Sequence, residues 1–203
     1  LTTLLATHLE TQLEIAVTDE ERAALVARLA LLLANRLEGE PDAAVRDELL
    51  ARSTRVVTRY DDGSEALRLV LLRSQHRAAQ RMAEDSRAGR TSPAQQAAAA
   101  EQFAALVRSF AELGRRAELA RQATEDKITK SAGMAAELLA ERSSQQEQVA
   151  RSAQFFRAWA LYYRAWLMRE LNQQGWDEVA QSSLSAFAQL IEPGRVAVAP
   201  ADV

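Results

Sequence analysis

The stretch Phe155–Gly175, FFRAWALYYRAWLMRELNQQG, constrains the chain most. Within twelve positions it holds Phe155, Phe156, Trp159, Tyr162, Tyr163 and Trp166, six of the eleven aromatic residues. Steps of four, three and four along 155, 159, 162 and 166 are helical, and at about 100° per residue these four fall within about 60° of one another. Phe156 and Tyr163 widen that face. Leu161, Leu167, Met168 and Leu171 cover most of the rest, leaving a narrow polar strip around Arg157 and Arg164. A helix apolar nearly all round is normally buried on several sides. The expectation is that the other helices pack on this one.

The remainder of the chain also reads as helix. Ala and Leu dominate, Gly numbers 7 and Pro 4 in 203 residues, and Ala, Leu, Arg, Gln and Glu head the helix-propensity scale. Residues 1–17 carry Leu5, Leu9 and Leu13 at steps of four. Thr18 and Glu21 form a capping box before a helix with Leu25, Leu29, Leu33 and Leu37 on one face. Gly39 and Pro41 punctuate, and a third helix follows to about Arg59, with Val45, Leu49, Val56 and Tyr60 inward. After the Asp61–Ser64 turn, with Ser64 as N-cap, a fourth helix sets Leu67, Val70, Leu71, Ala78 and Met82 on its core side. Gly89 ends it.

Ser92-Pro93-x-Gln95 starts a fifth helix, with Pro at the first helical position. It carries Phe103, Leu106, Phe110 and Leu113, and Gly114 ends or interrupts it. Residues 115–142 read as one long helix or two, broken near 129–133. Ser144 and Glu147 suggest a capping box opening the aromatic helix, which Gly175 closes. Val179, Leu184, Phe187 and Ile191 face inward on the last helix. No period-two strand run occurs. The reading is all-α: seven to nine helices in antiparallel hairpins stacked as an α-solenoid, or alternatively a compact bundle. Residues 1–192 form a single helical domain and 193–203 a C-terminal extension or linker.

Residues 153–193 resemble a tetratricopeptide-type hairpin. The aromatic first helix, Gly175, Ala180 five residues later, Leu184 four beyond and Pro193 at the end carry the resemblance. Phe187 stands where that family has Ala, and Pro193 comes one residue late. Gly39, Gly63, Gly89 and Gly114 recur every 24 to 26 residues, giving helix pairs nearer in size to HEAT-like units. The resemblance is thus to tetratricopeptide or related helical repeats, and it implies a non-catalytic scaffold with a concave groove for a protein or peptide.

Several chemistries are excluded or disfavoured. Without cysteine there is no disulfide, thiolate metal site or Cys nucleophile. His8 and His76 stand alone, without an H-E-x-x-H or Glu-x-x-His pattern, and are read as surface or half-buried imidazoles. No phosphate loop, nucleophile elbow or dinucleotide fingerprint is present. The pairs Glu20/Glu21, Asp61/Asp62 and Glu125/Asp126 suit helix starts and turns. An enzyme is not expected, and no cofactor or metal.

A net charge of −3 gives no reason to expect nucleic acid, and no 18-residue uncharged apolar run indicates a membrane span. Near-exclusive use of Arg over Lys points to a GC-rich bacterial genome. The compartment is open, leaning to the cytoplasm, and a homo-oligomer is compatible. With Leu as first residue, the chain reads as a segment of a larger polypeptide.

Two features are candidate binding elements. Arg73, Arg77 and Arg81 form an i, i+4, i+8 stripe that is either a solvated face or a surface for an anionic partner. From Arg46 to Arg90 there are ten Arg against seven Asp plus Glu, a local excess of only three. The aromatic helix is either core or a groove lined by Tyr162 and Trp166, with Arg157 and Arg164 as carboxylate clamps. The second form carries the alternative function, a helical sensor for a small apolar or anionic ligand.

Overall fold

The computed structural model describes residues 2–39, 42–60 and 65–191. Among them are seven helices and no strand: α1 (Thr2–Ile15), α2 (Asp19–Gly39), α3 (Ala43–Arg59), α4 (Glu65–Arg87), α5 (Pro93–Ile128), α6 (Met134–Glu170) and α7 (Trp176–Ile191). Pro41, the Asp61–Ser64 turn and the 193–203 extension lie outside the described residues. The described residues divide into two compact units, those within 2–72 and 116–149, and those within 73–115 and 150–191.

Local chemistry sets most helix ends. The Thr18 hydroxyl accepts from the Glu21 N–H at 3.1 Å, and the Glu21 carboxylate accepts from Val17 N–H at 3.4 Å, one residue earlier than a standard capping box. Asp42 caps α3 by accepting from Ala44 and Val45 N–H at 2.8 and 3.1 Å. At α5 the box is reciprocal: Gln95 N–H donates to Ser92 Oγ at 3.3 Å and Ser92 N–H donates to Gln95 Oε1 at 2.8 Å.

Gly89 (φ +70°) ends α4 in a Schellman turn, with Arg90 N–H donating to the Asp85 carbonyl and Gly89 N–H to that of Ser86. The helix break expected near 129–133 is present, and Gly133 (φ +60°) precedes α6.

Three expectations about helix ends are corrected. Gly114 neither ends nor interrupts α5, which continues to Ile128. Ser144 starts nothing, because α6 begins ten residues earlier in the strong helix formers MAAELLAER. Gly175 does not close α6: Asn172 does, at φ +51°, with Gln173 N–H donating to the Met168 carbonyl and Asn172 N–H to that of Arg169. Gly175 (φ +77°) instead precedes α7, its carbonyl accepting from Val179 N–H.

In the first unit α2 packs against α1 and α3. The core joins Leu9 and Leu13 of α1 with Val26, Leu29, Leu33 and Leu37 of α2, Val56 of α3 and Leu67 of α4. Val45, expected inward, is exposed, and so is Leu5. Arg52 of α3 forms a two-toothed pair with Glu10 of α1, Nε and Nη2 each 2.8 Å from a carboxylate oxygen.

In the second unit Phe103, Leu106, Phe110 and Leu113 of α5 are all buried, as the sequence suggested. Two stacked ring pairs fix α5 against α6 in antiparallel register, Phe103 with Tyr163 at 5.3 Å and Phe110 with Phe156 at 5.7 Å between centroids. Farther along the same crossing, a Cβ on Gly114 would lie 3.7 Å from that of Ala153. The α7 helix docks on α6 through Ser183, whose buried hydroxyl donates to the Ala158 carbonyl at 3.0 Å, and through Phe187, edge-on to Trp159 at 5.4 Å. On α4, Ala78 is exposed, and His76, Ala79 and Ala83 take the buried positions.

Candidate functional site

The aromatic helix is oriented differently from the expectation. Its buried positions are Ala153, Ala158, Ala160, Leu161, Ala165, Leu167 and Met168, with Phe156 and Tyr163 half-buried against α5. Alanines let neighbouring backbones approach closely, so they take the contacts where helices cross. The 155/159/162/166 row is displaced outward. Phe155 and Tyr162 are each 44% exposed, and Trp159 and Trp166 are half-buried. Phe155, Trp159 and Tyr162 form a ladder of edge-to-face contacts, 6.4 Å and then 5.6 Å between centroids.

This row continues onto α7. Phe187 meets Trp159, and Leu184 and Ile191, three before and four after Phe187, share its side of the helix. Both were expected inward, yet Leu184 is 64% and Ile191 80% exposed. At the hairpin end, Arg169 lies over the ring of Trp176 at 5.4 Å, a cation–π contact. The second unit therefore carries an outward apolar face on α6 and α7, with a cation at its hairpin end.

The arginines separate. Arg77 and Arg81 are exposed, whereas Arg73 is half-buried with its guanidinium 5.3 Å from the ring centre of Phe156. The expected three-residue stripe is thus two solvated cations and one tucked against an aromatic ring. Arg157 and Arg164 are both half-buried. At about 100° per residue they fall between the two buried sides of α6, away from Tyr162 and Trp166. They do not bracket the aromatic row, and Arg157 Nε is buried without a hydrogen-bond partner among the described residues.

The sequence reading missed His76. It is 3% exposed and neither ring nitrogen has a hydrogen-bond partner among the described residues. Four rings stand at steep angles around it: Phe103 at 5.6 Å, Phe110 at 6.3 Å, Phe156 at 5.5 Å and Tyr163 at 6.0 Å. Burial alone pulls its pKa down to about 4. Burial likewise raises the Tyr163 phenol, with Glu84 and Tyr162 adding to the rise and Arg87 opposing it. Position 76 lies seven residues from Leu69 and from Ala83, both buried, and that heptad spacing was the signal available in the sequence.

The first unit holds an open cleft of about 760 Å³ between α1 and α3, lined by Glu10, Glu14, Glu48, Arg52, Arg55 and Arg59 among others. Among the described residues its three carboxylates and three guanidiniums balance, and Arg52 is already committed to Glu10. Among the described residues no three His, Asp or Glu side chains converge as a metal-binding group, and no helix is long and apolar enough to cross a membrane. Comparison of the chain with protein-family models, curated proteins and solved structures finds no match.

Proposed function

We propose that this chain is a non-catalytic helical domain that binds another protein, with the outward face of α6 and α7 as its contact surface. The observation carrying this reading is the row Phe155, Trp159 and Tyr162, joined through Phe187 to the exposed Leu184 and Ile191. Contiguous exposed apolar surface on a helical pair is characteristic of interaction sites, and aromatic residues are enriched at the centres of interfaces. The chemistry fits an amphipathic helix that lays its apolar side along the row. An acidic residue near one end would meet Arg169. In this reading the hairpins belong to a tetratricopeptide-like or related repeat stack.

The absence of cysteine and the enclosure of His76 by carbon rings support a binding role over a catalytic one. The test compares pull-downs by the wild-type chain and by Tyr162→Asp/Leu184→Glu, after circular dichroism has confirmed equal helicity. A partner retained by the first and lost by the second is the expected result. No partner for either, or equal retention by both, would remove the basis for the proposal.

A further inference from the structure

We infer that His76 is an acid-sensitive element of the second unit, whose protonation breaks the four-ring cage and loosens α4 from α5 and α6. The geometry carries the argument. A neutral imidazole fits between the stacked pairs Phe103/Tyr163 and Phe110/Phe156 as a flat, weakly polar ring. An imidazolium carries two N–H donors and a charge, and neither nitrogen has an acceptor within reach among the described residues.

The surrounding groups supply little compensation. From α5 the described contacts are the carbon rings of Phe103 and Phe110. From α6 they are Phe156 and Tyr163, the latter the only titratable one. On α4 itself Arg73 sits over the ring of Phe156. Glu84 acts on Tyr163 with Arg87 opposing it. Attraction between the charge and the ring faces offsets part of the cost of burying it, but it supplies no acceptor for either N–H.

The sign follows from the depressed pKa. Well above pH 6.5 the imidazole is neutral folded or unfolded and has no effect on stability. As pH falls from there toward 4, the unfolded chain takes up the proton and the folded one resists it. Between pH 7.5 and 5 this raises the unfolding equilibrium constant by about thirty-fold. The inference does not depend on the proposed partner face.

The chain's two histidines make the test direct. His8 is exposed on α1 and serves as an internal reference in a proton NMR titration of the whole chain. The expected result is that the His76 resonance stays in its neutral position until near-ultraviolet circular dichroism reports loss of aromatic packing. Urea unfolding of His76→Phe, compared with wild type at pH 7.5 and 5, isolates the same group from the carboxylates; the thirty-fold difference should vanish. A His76 that titrates at or above the pH of His8 overturns the inference even if the variant fails to fold. So does an equal pH response in a folded variant.

Discussion

Phe103 and Phe155 are chemically identical side chains, and the second unit uses them in opposite ways. Phe103 is fully buried and stacked on Tyr163, while Phe155 is nearly half exposed. Replacing Phe103 or Phe110 with Ala should cost about 3–5 kcal/mol, because the lost ring leaves a cavity in a close-packed core. Phe155→Ala or Tyr162→Ala should cost less than about 1 kcal/mol. Urea denaturation of the four variants at pH 7.5 measures the contrast. The periodicity of the aromatic helix was legible because 155, 159, 162 and 166 repeat at helical steps. Its orientation was not, because ring count suggests burial while alanines occupy the close crossings. Ala153 and Ala160 are wholly buried there, and a residue-type scan gives them little weight.

At the scale of the helix, glycine and asparagine give tests of opposite sign. Gly114 lies inside α5 with ordinary van der Waals room for a methyl group beside Ala153. Gly114→Ala should therefore stabilise the chain by about 0.5–1 kcal/mol, by reducing the freedom of the unfolded backbone. Asn172 ends α6 in a left-handed conformation that alanine tolerates poorly, so Asn172→Ala should destabilise by about 1–2 kcal/mol while Asn172→Gly stays near neutral. Thermal unfolding followed by circular dichroism reads both. Helix starts were readable from side chains that satisfy backbone N–H groups, as at Thr18 and Ser92. Ser144 shows the limit of that signal. A Ser-x-x-Glu pattern caps a helix only where the preceding residues leave one, and residues 134–143 are themselves helical.

For the molecule as a whole, charge acts through local pairs more than through a net field. The pair Arg52–Glu10 joins α3 to α1 with its arginine mostly shielded from water, and Arg52→Ala should cost about 1 kcal/mol. The accompanying change in urea midpoint should persist in 0.5 M salt if the pair is shielded. Acid should weaken both units. The Glu118 carboxyl is held below its usual range chiefly by the Arg121 guanidinium, so its stabilising effect is present above the ordinary carboxylate range and lost as pH falls through it. The His76 effect begins earlier on the same descent, from about pH 6.5. The all-helical class and the helix order were legible because hydrophobic period and breakers agree along the chain. The outward face was not, since Leu184 and Ile191 sit at the same spacing a buried face would use.

The stacked pairs joining α5 and α6 carry one further consequence. Each helix presents its two rings seven residues apart, so both pairs close together in one alignment. Sliding α6 by four residues would set Phe103 opposite Trp159 or Leu167, and Phe110 opposite Ser152 or Ala160. Sliding it by seven could re-form one stacked pair at most. These two helices are thus denied a lengthwise ratchet, and any motion between them has to be a roll or a parting.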